Sequence, residues 1–278
     1  MIHKGEAILD RQFIAKHWYA SAYEQFENQT YDVEFLLNIL REETDGTPQN
    51  ILEVACGGGR ICVPLAQAGH NVTGFDADEF MLLRCYRRMK DIPIIKCYQA
   101  DAIKTDWGTG LDVVVMAGNI LINTETDIDY TEAQKIFIHK SAAALRSGGH
   151  LILDYDQHSD ASAVKFFNRL GESGRLGDNS EYVDELGTSG KTRIYGNVYD
   201  PVTRICTWAS HNDLLTNNGE RIITSTAGHK HIPTLRQVYG WLADAGLIVE
   251  KTYRNYQDEP LSANEADHVR ATIWARKG

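Results

Sequence analysis

The sequence predicts an α/β protein built on a doubly wound, mostly parallel seven-stranded sheet, with an antiparallel β insert after strand five. Short apolar runs alternate with helical patterns, which is typical of parallel strands joined by right-handed crossovers. The chain then becomes polar and glycine-rich, and extended segments follow that are joined by turns such as "NNG" (217–219). A helical stretch and two further strands return the chain to the sheet.

The elements can be placed from hydrophobic periodicity and turn residues. The predicted strands one to five are 51–55, 71–75, 94–98, 112–117 and 150–155, and the helices between them are 60–68, 78–89 and 130–146. Two N-terminal helices (8–26 and 31–42) come first, and a helix beginning near Pro233 and strands at 247–254 and 269–275 come last. We expect three parts: N-terminal helices that form a lid (1–44), a ligand-binding core (45–156 and 233–278), and an inserted subdomain over the substrate (157–232).

Composition and charge narrow the range of partners. The 278-residue chain has a formal net charge of -10, and an acidic surface repels phosphate backbones. We therefore expect a small-molecule partner and no nucleic acid.

No apolar run approaches the ~20 residues of a membrane span, and the N-terminus lacks the apolar region of a signal peptide. The five cysteines include no CxxC pair, which favours reduced thiols and a cytoplasmic location. The oligomeric state is left open.

A glycine-rich loop follows the first strand in "ILEVACGGGR" (51–60). Glycines at this place let backbone amides approach a ligand at the start of the next helix. The dinucleotide pattern G-x-G-x-x-G fails, because counting from Gly57 puts Cys62 where the third glycine belongs. A phosphate-binding P-loop needs Gly-Lys-Ser/Thr, whereas Gly59 is followed by Arg60. Neither phosphate-binding motif is present.

Three acids come at the ends of successive predicted strands: Glu53, Asp76 and Asp101. Ligands of parallel sheets bind outside the carboxyl ends of the strands, so these acids share one crevice. Such a crevice repels phosphates and attracts cations. A carboxylate after strand two can hold ribose hydroxyls, and one after strand three can accept from an amine. A ligand with a sulfonium, an ammonium, a ribose and an adenine fits, which is S-adenosylmethionine.

The same segments resemble class I S-adenosylmethionine-dependent methyltransferases, with their Rossmann-like methyltransferase fold. "LEVACGGGR" is similar to the glycine motif of that family, "VTGFDADEFML" to its ribose motif, "QADA" to its adenine motif, and "LRSGGHLILD" to the turn into strand five. Ala55 departs from the pattern by replacing the usual first glycine, and we expect only tighter packing from it. The resemblance implies a set of cofactor-binding residues: Tyr23, Glu53, Ala55, Cys56, Gly57, Gly59, Asp76, Ala77, Met81, Asp101, Ala102, Ala117 and Asn119.

Within that set the resemblance places Glu53 near the methionine end of the cofactor and Asp76 on its ribose. Ala77 and Met81 would line the adenine, and Asp101 would take its amine. Plain structural alternatives remain open at this point. Asp76 suits the N-cap of the helix at 78–89, Asp101 suits a capped turn, and Met81 suits core packing.

The acceptor side is marked by two segments. "MAGNILIN" (116–123) lacks the proline-containing motif of nucleic-acid amino methyltransferases, and its Gly118-Asn119 pair resembles glycine N-methyltransferase-like enzymes. Those enzymes carry a substrate-binding arginine after strand five, where this chain has Asp156. An amine-bearing or polyol acceptor is therefore favoured over glycine. Tyr155, Asp156 and His158 are the catalytic candidates, with a polar loop as the alternative.

Two further patterns are a pair of tyrosines in the first helix and a pair of histidines near residue 230. Tyr19 and Tyr23 lie four residues apart on a helical face that resembles an aromatic lid over the cofactor, and a core stripe is the alternative. His229 and His231 have no third ligand spaced with them, so we expect no metal site.

The predicted function is methyl transfer from S-adenosylmethionine to a small-molecule amine or hydroxyl. A hydroxyl acceptor would need a general base such as His158 or Asp156. The alternatives are a nicotinamide-dependent oxidoreductase and a non-catalytic protein that binds S-adenosylmethionine.

Overall fold

The computed structural model describes residues 10–90, 92, 95–124, 126–173, 181–261 and 268–278. Within these residues the helices are α1 (Arg11–Phe26), α2 (Tyr31–Glu43), α3 (Cys62–Gln67), α4 (Glu79–Arg88), α5 (Tyr130–Ala144), α6 (Asp160–Ser173) and α7 (Leu235–Asp244). The strands are β1 (Asn50–Val54), β2 (Asn71–Asp76), β3 (Ile95–Gln99), β4 (Leu111–Met116), β5 (Leu145–Gln157), β6 (Tyr182–Val183), β7 (Ser189–Asp200), β8 (Ile205–Leu215), β9 (Arg221–His231), β10 (Leu247–Arg254), β11 (Gln257–Pro260) and β12 (Val269–Lys277).

The main sheet has eight strands in the order β11-β10-β12-β5-β4-β1-β2-β3. The pairings of β1 with β2 and β4, of β2 with β3, and of β4 with β5 are parallel, whereas β12 runs antiparallel to both β5 and β10. The strand order reverses between β1 and β4, and such a switch point opens a crevice at the carboxyl ends of the strands. The predicted doubly wound sheet is confirmed, with the short β11 added at its edge.

Burial on both faces explains why these strands read as continuous apolar runs. Val113, Val114 and Val115 of β4 are all fully buried, although successive side chains point to opposite faces. Helices therefore cover both sides of the sheet. β5 begins earlier than predicted, at Leu145, and helix α6 follows it where the sequence indicated only a polar segment.

The chain divides into two compact units. The larger contains the described parts of Gln29–Phe166, Tyr199–Cys206 and His229–Gly278, and it includes the main sheet. The smaller contains the described parts of Met1–Asn28, Phe167–Val198 and Thr207–Gly228, and it includes α1 and most of the second sheet, β6-β7-β8-β9. This second sheet is the predicted insert; the assignment of 1–44 and 157–232 to a lid and a substrate cover stays a prediction.

Helix α1 is held within the smaller unit by a buried aromatic residue. Trp18 is fully buried, packs with Leu214 and Ile222, and donates from its indole Nε1 to the carbonyl of Tyr182 over 3.0 Å. On the same helix Tyr19 and Tyr23 are 50% and 40% exposed, so the tyrosines are not a core stripe.

The backbone at Ala55 keeps the conformation that a glycine would favour. Its φ is +55°, in the left-handed region, and Gly57 and Gly59 in the same loop have φ of +53° and +80°. A Cβ in this region approaches a backbone carbonyl and costs roughly 1–2 kcal/mol. The loop therefore retains its shape in spite of the alanine, and the departure from the family pattern stores strain.

Ala55→Gly should relieve this strain and raise the free energy of unfolding by about 0.5–1 kcal/mol, after the greater flexibility of unfolded glycine is subtracted. Chemical denaturation measures the change. The matched control is Ala143→Gly on the exposed face of α5, which should lower the free energy of unfolding by about 1 kcal/mol. Equal destabilisation by both substitutions would contradict the account.

Candidate active site

Four segments of the larger unit end at the carboxyl edge of the main sheet. They are the glycine loop after β1, the end of β2, the turn after β4 and the end of β5. The loop after β1 and the turn after β4 flank the switch point, because β1 and β4 are neighbours in the sheet. The fold therefore brings the sequence-predicted residues of both motifs to one edge.

Glu53 is a buried acid with an unsatisfied oxygen. Its side chain lies near the end of β1, in register with Gly74 of β2 and Val115 of β4, and the residue is 4% exposed. Burial raises the pKa of Glu53 to about 8, an effect that Cys62 and Arg60 oppose. Among the described residues, its Oε2 atom has no hydrogen-bond partner. An orphaned buried carboxyl oxygen is rare in native proteins and marks a place where a ligand donor belongs.

Asp76, at the end of β2, fixes the glycine loop. Its Oδ2 accepts from the Gly57 amide and its Oδ1 from the Asp78 amide, both over 2.8 Å. Each carboxylate oxygen can accept a further hydrogen bond, so ribose hydroxyls can still bind. The N-cap of α4 is Asp78, whose Oδ1 accepts from the amides of Phe80 and Met81. The alternative of Asp76 as N-cap is therefore wrong.

Met81 and the turn after β3 are the places where the resemblance predicts the adenine to bind. A Cβ added at Gly57 would lie 3.2 Å from Met81 Cε, so this side chain supports the glycine loop. Asp101 caps its own turn by accepting from the Ile103 amide over 2.8 Å, and it pairs with Lys104 over 3.1 Å. Slight burial would raise the pKa of Asp101, but the hydrogen bonds from Lys104 and the Ile103 amide lower it below its usual value.

Ala77 and Ala102 each accept a side-chain hydrogen bond at the backbone carbonyl. The Ala77 carbonyl accepts from Gln99 Nε2, and the Ala102 carbonyl accepts from Trp107 Nε1, both over 3.0 Å. These contacts fix the two turns that flank the predicted adenine position. Ala117 and Cys56, which follow β4 and β1, are buried.

The Gly118-Asn119 turn follows β4 and is hydrogen-bonded to the end of β5. Both residues have positive φ, +71° and +67°. Their amides donate to the Asp154 carboxylate over 3.1 and 3.0 Å, and the Asn119 side chain donates to Asp156 Oδ2 over 2.8 Å. Asn119 Oδ1 also accepts from the Asp156 amide over 2.6 Å. Asn119 is therefore a turn asparagine whose side chain is fully engaged by β5.

Arg270 is the functional residue that the sequence reasoning missed. It lies on β12 directly opposite Asp156 of β5, and its Nε and Nη2 donate to that carboxylate over 2.7 and 3.1 Å. Its Nη1 contacts Asp154 Oδ1 over 3.2 Å, and Tyr256 donates to Asp154 Oδ2 over 2.9 Å. Although burial opposes the effect, His268 and Arg270 hold the pKa of Asp156 well below its usual range. Asp156 is thus an ion-paired carboxylate, and the sequence analysis did not predict this pairing.

The other two predicted catalytic residues lie in different surroundings. Tyr155 is fully buried, and its side chain points to the face of the sheet opposite that of Asp156. Burial raises the pKa of Tyr155. Tyr155 is therefore a core residue that an acceptor cannot contact. His158 is 2% exposed, and burial, with the nearby His268 ring, lowers its pKa to about 4. Its ring stacks on His268 with centroids 4.2 Å apart. His268 Nε2 in turn lies 3.6 Å from Asp156 Oδ1.

The histidines of "GHKH" do not form a joint site. His231 is buried and its Nδ1 lies 2.7 Å from Gln134 Oε1, whereas His229 is exposed and contacts the Tyr130 ring. Tyr23 belongs to the smaller unit, and its predicted contact with the cofactor stays a prediction.

The donor set of the larger unit fits S-adenosylmethionine. The orphaned Glu53 oxygen suits the ammonium group, the spare acceptor capacity of Asp76 suits the ribose hydroxyls, and glycines at positive φ expose backbone to the ligand. These roles of individual residues remain predictions, and each can be tested.

Asp76→Ala should weaken S-adenosylmethionine binding by about 1–3 kcal/mol, because ligand hydroxyls lose their acceptor. This corresponds to an increase of about 5- to 150-fold in the Kd measured by calorimetry. Asp78→Ala is the matched control, since it removes the N-cap of α4 and should lower thermal stability with little change in Kd. An unchanged Kd for Asp76→Ala would remove the ribose assignment.

Binding of the cofactor should also depend on pH through Glu53. With a pKa of about 8 in the free protein, Glu53 must lose its proton to pair with the cationic ligand. The affinity should therefore rise with pH below about 8, by up to about tenfold per pH unit, and then level off. Glu53→Gln should abolish this slope in calorimetric titrations. A slope that persists in the variant would assign it to another group.

Comparisons with known proteins agree with this geometry. A family model described as a methyltransferase domain matches residues 51–149. No curated protein sequence is significantly similar to the chain. Within the described residues, no helix has the length and apolar character needed to cross a membrane.

Several solved structures share the fold at low sequence identity. An S-adenosylmethionine-dependent methyltransferase from Clostridium acetobutylicum is 14% identical over 97% of this chain and 100% of that chain, with a TM-score of 0.67. The sugar N-methyltransferase KedS8 from Streptoalloteichus is 16% identical over 92% of each chain (TM-score 0.64). CalS10, an amino pentose methyltransferase from Micromonospora echinaspora, is 15% identical over 92% of this chain and 95% of that chain (TM-score 0.58). These likenesses show the fold, and the family model shows that residues 51–149 are a methyltransferase domain.

Proposed function

We propose that this methyltransferase transfers a methyl group to the amine of a small polyhydroxylated acceptor of the amino-sugar type. The observation that carries the proposal is the ion pair between Asp156 and Arg270, with His268 on its exposed side. Arg270 is engaged by two carboxylates, so it is not available to hold an acceptor carboxylate in the way the substrate arginine of glycine N-methyltransferase-like enzymes does. This disfavours glycine and related acids.

An amine acceptor needs a group that removes its proton. Amines are largely protonated near neutral pH, and the nitrogen attacks only as the free base. His268 Nε2 faces the Asp156 carboxylate, which leaves Nδ1 to accept a proton from the acceptor ammonium. The side chain of His268 is 44% exposed, so an acceptor can reach it, and the stacked His158 ring holds its plane. Asp156 acts through His268 by stabilising the imidazolium that results.

When bound, S-adenosylmethionine supplies an electrophilic methyl on its sulfonium. The protein then has to align the acceptor nitrogen with that methyl and exclude water. Asp154 and Asn119 contribute by fixing the turn after β4 and the end of β5 in one position. The nitrogen gains the methyl and loses one proton, which His268 carries.

Two of the similar solved structures support the choice of acceptor class. By their descriptions one is a sugar N-methyltransferase and the other an amino pentose methyltransferase, and each aligns with more than nine tenths of this chain. A second cation, Lys230, lies near Asp156, and burial lowers its pKa. The test must therefore be able to detect an acceptor whose carboxylate is held by Lys230.

The test is a methyl-transfer assay with matched acceptors: an amino sugar, the sugar with a hydroxyl in place of the amine, and a carboxylic acid of similar size. We expect methylation of the amino sugar alone, detected by mass spectrometry. His268→Ala should lower kcat about 100-fold or more near neutral pH, and the loss should shrink as pH rises and free amine accumulates. His229→Ala, at an exposed histidine, is the control.

Two results would contradict the proposal. Preferred methylation of the carboxylic acid would show that Lys230 or another cation holds the acceptor. A His268→Ala loss that is constant across pH would show that the histidine acts by position alone and not as a proton acceptor.

A further inference from the structure

Four of the five cysteines of this chain meet in one place. The Sγ atoms of Cys56, Cys62, Cys85 and Cys97 all lie within 4.8 Å of one another. Cys62 and Cys85 are 3.9 Å apart at sulfur, and Cys85 and Cys97 are 3.1 Å apart. The fifth cysteine, Cys206 on β8, is not part of this group. We refer to the four as the thiol cluster.

The cluster joins four separate elements beneath the glycine loop. Cys56 follows β1, Cys62 begins α3, Cys85 lies in α4, and Cys97 lies in β3. Cys56 and Cys62 are six residues apart and the other two follow at 85 and 97, so the group contains no CxxC spacing. Three of the cysteines are buried and Cys97 is half-buried.

The surrounding backbone makes room for the sulfurs. A Cβ added at Gly74 would lie 2.9 Å from Cys56 Sγ and 3.4 Å from Cys97 Sγ. One added at Gly59 would lie 2.9 Å from Cys85 Sγ. Both glycines therefore border a space that sulfur atoms fill.

The sulfur positions match a single metal ion better than a disulfide framework. Zinc–sulfur bonds of about 2.3 Å in a tetrahedron place the sulfurs about 3.8 Å apart, which is within the range seen in the thiol cluster. A disulfide would link only two of the four at about 2.05 Å and leave two buried thiols beside it. Four thiolates also satisfy all four positions of a closed structural zinc site.

We propose that the thiol cluster binds one thiophilic divalent ion, Zn²⁺, in a tetrahedral tetrathiolate site below the glycine loop. The earlier expectation of no metal site considered only histidine spacing along the chain, whereas the fold assembles ligands from distant segments. Each thiol releases its proton to solvent as it binds the ion.

The role of the ion follows from its place. It would crosslink β1, α3, α4 and β3, and Cys56 adjoins Gly57, whose amide is held by Asp76. With four protein ligands the ion has no open position, so it supports the glycine loop and takes no part in methyl transfer. Its presence can therefore be tested without any acceptor.

The experiment measures metal in the full-length protein purified under reducing conditions without chelators. Elemental analysis should find one zinc per chain, and the protein stripped and reloaded with Co²⁺ should show the intense thiolate-to-metal absorption of a tetrahedral site. Iron in the same ratio, with a tetrathiolate spectrum, would support the site and change only the identity of the ion.

Variants locate the ligands. Cys97→Ser, at the half-buried position, should lose most of the metal, whereas Cys206→Ser should retain it at the wild-type ratio. If Cys97→Ser does not fold, the cobalt spectrum of the wild-type protein still decides. Fully reduced wild-type protein that takes up neither Zn²⁺ nor Co²⁺ would overturn the proposal. So would a Cys85–Cys97 disulfide found by peptide mapping after alkylation at harvest.

Discussion

The ion pair of Arg270 with Asp154 and Asp156 is the constraint on which the acceptor side of this protein depends. Asp154 is fully buried, and removing one partner from a buried charge pair costs about 3–5 kcal/mol because the other charge is left unpaired. The Asp154 carboxylate also accepts hydrogen bonds from the amides of Gly118 and Asn119 and from the hydroxyl of Tyr256. One arginine therefore holds β12, the end of β5 and the turn after β4 together.

Two carboxylates at the same edge of the sheet illustrate opposite uses of burial. Asp154 has partners for both oxygens, so its charge serves the structure. Glu53 is buried as well, but its Oε2 has no hydrogen-bond partner among the described residues. Its pKa is raised because burial makes the ionised carboxylate less stable. A polar group left unsatisfied in a native core requires an explanation, and for Glu53 we predict a ligand donor. Asp154 is thus a structural acid, whereas Glu53 is the acid that we predict to contact the cofactor.

The sequence was sufficient for the parallel arrangement of the central strands, for the glycine loop and for the acids near the ends of β1 and β2, because each is a local pattern. Arg270 was missed because its partner depends on the register of an antiparallel strand more than a hundred residues away. The thiol cluster was missed because its four cysteines lie on or next to different elements, which meet only in the fold. Asp76 and Asp78 both suited an N-cap by sequence, and only the geometry assigns that role to Asp78.

The central claim is that the carboxyl edge of this sheet binds S-adenosylmethionine with its methyl group toward the Asp156 and Arg270 pair. A crystal structure with S-adenosylhomocysteine tests it most directly. The account predicts the ribose hydroxyls within hydrogen-bond distance of Asp76, the ammonium group beside Glu53, and the sulfur on the side of Asn119. Ligand density away from the glycine loop, or a ribose that does not contact Asp76, would contradict the account.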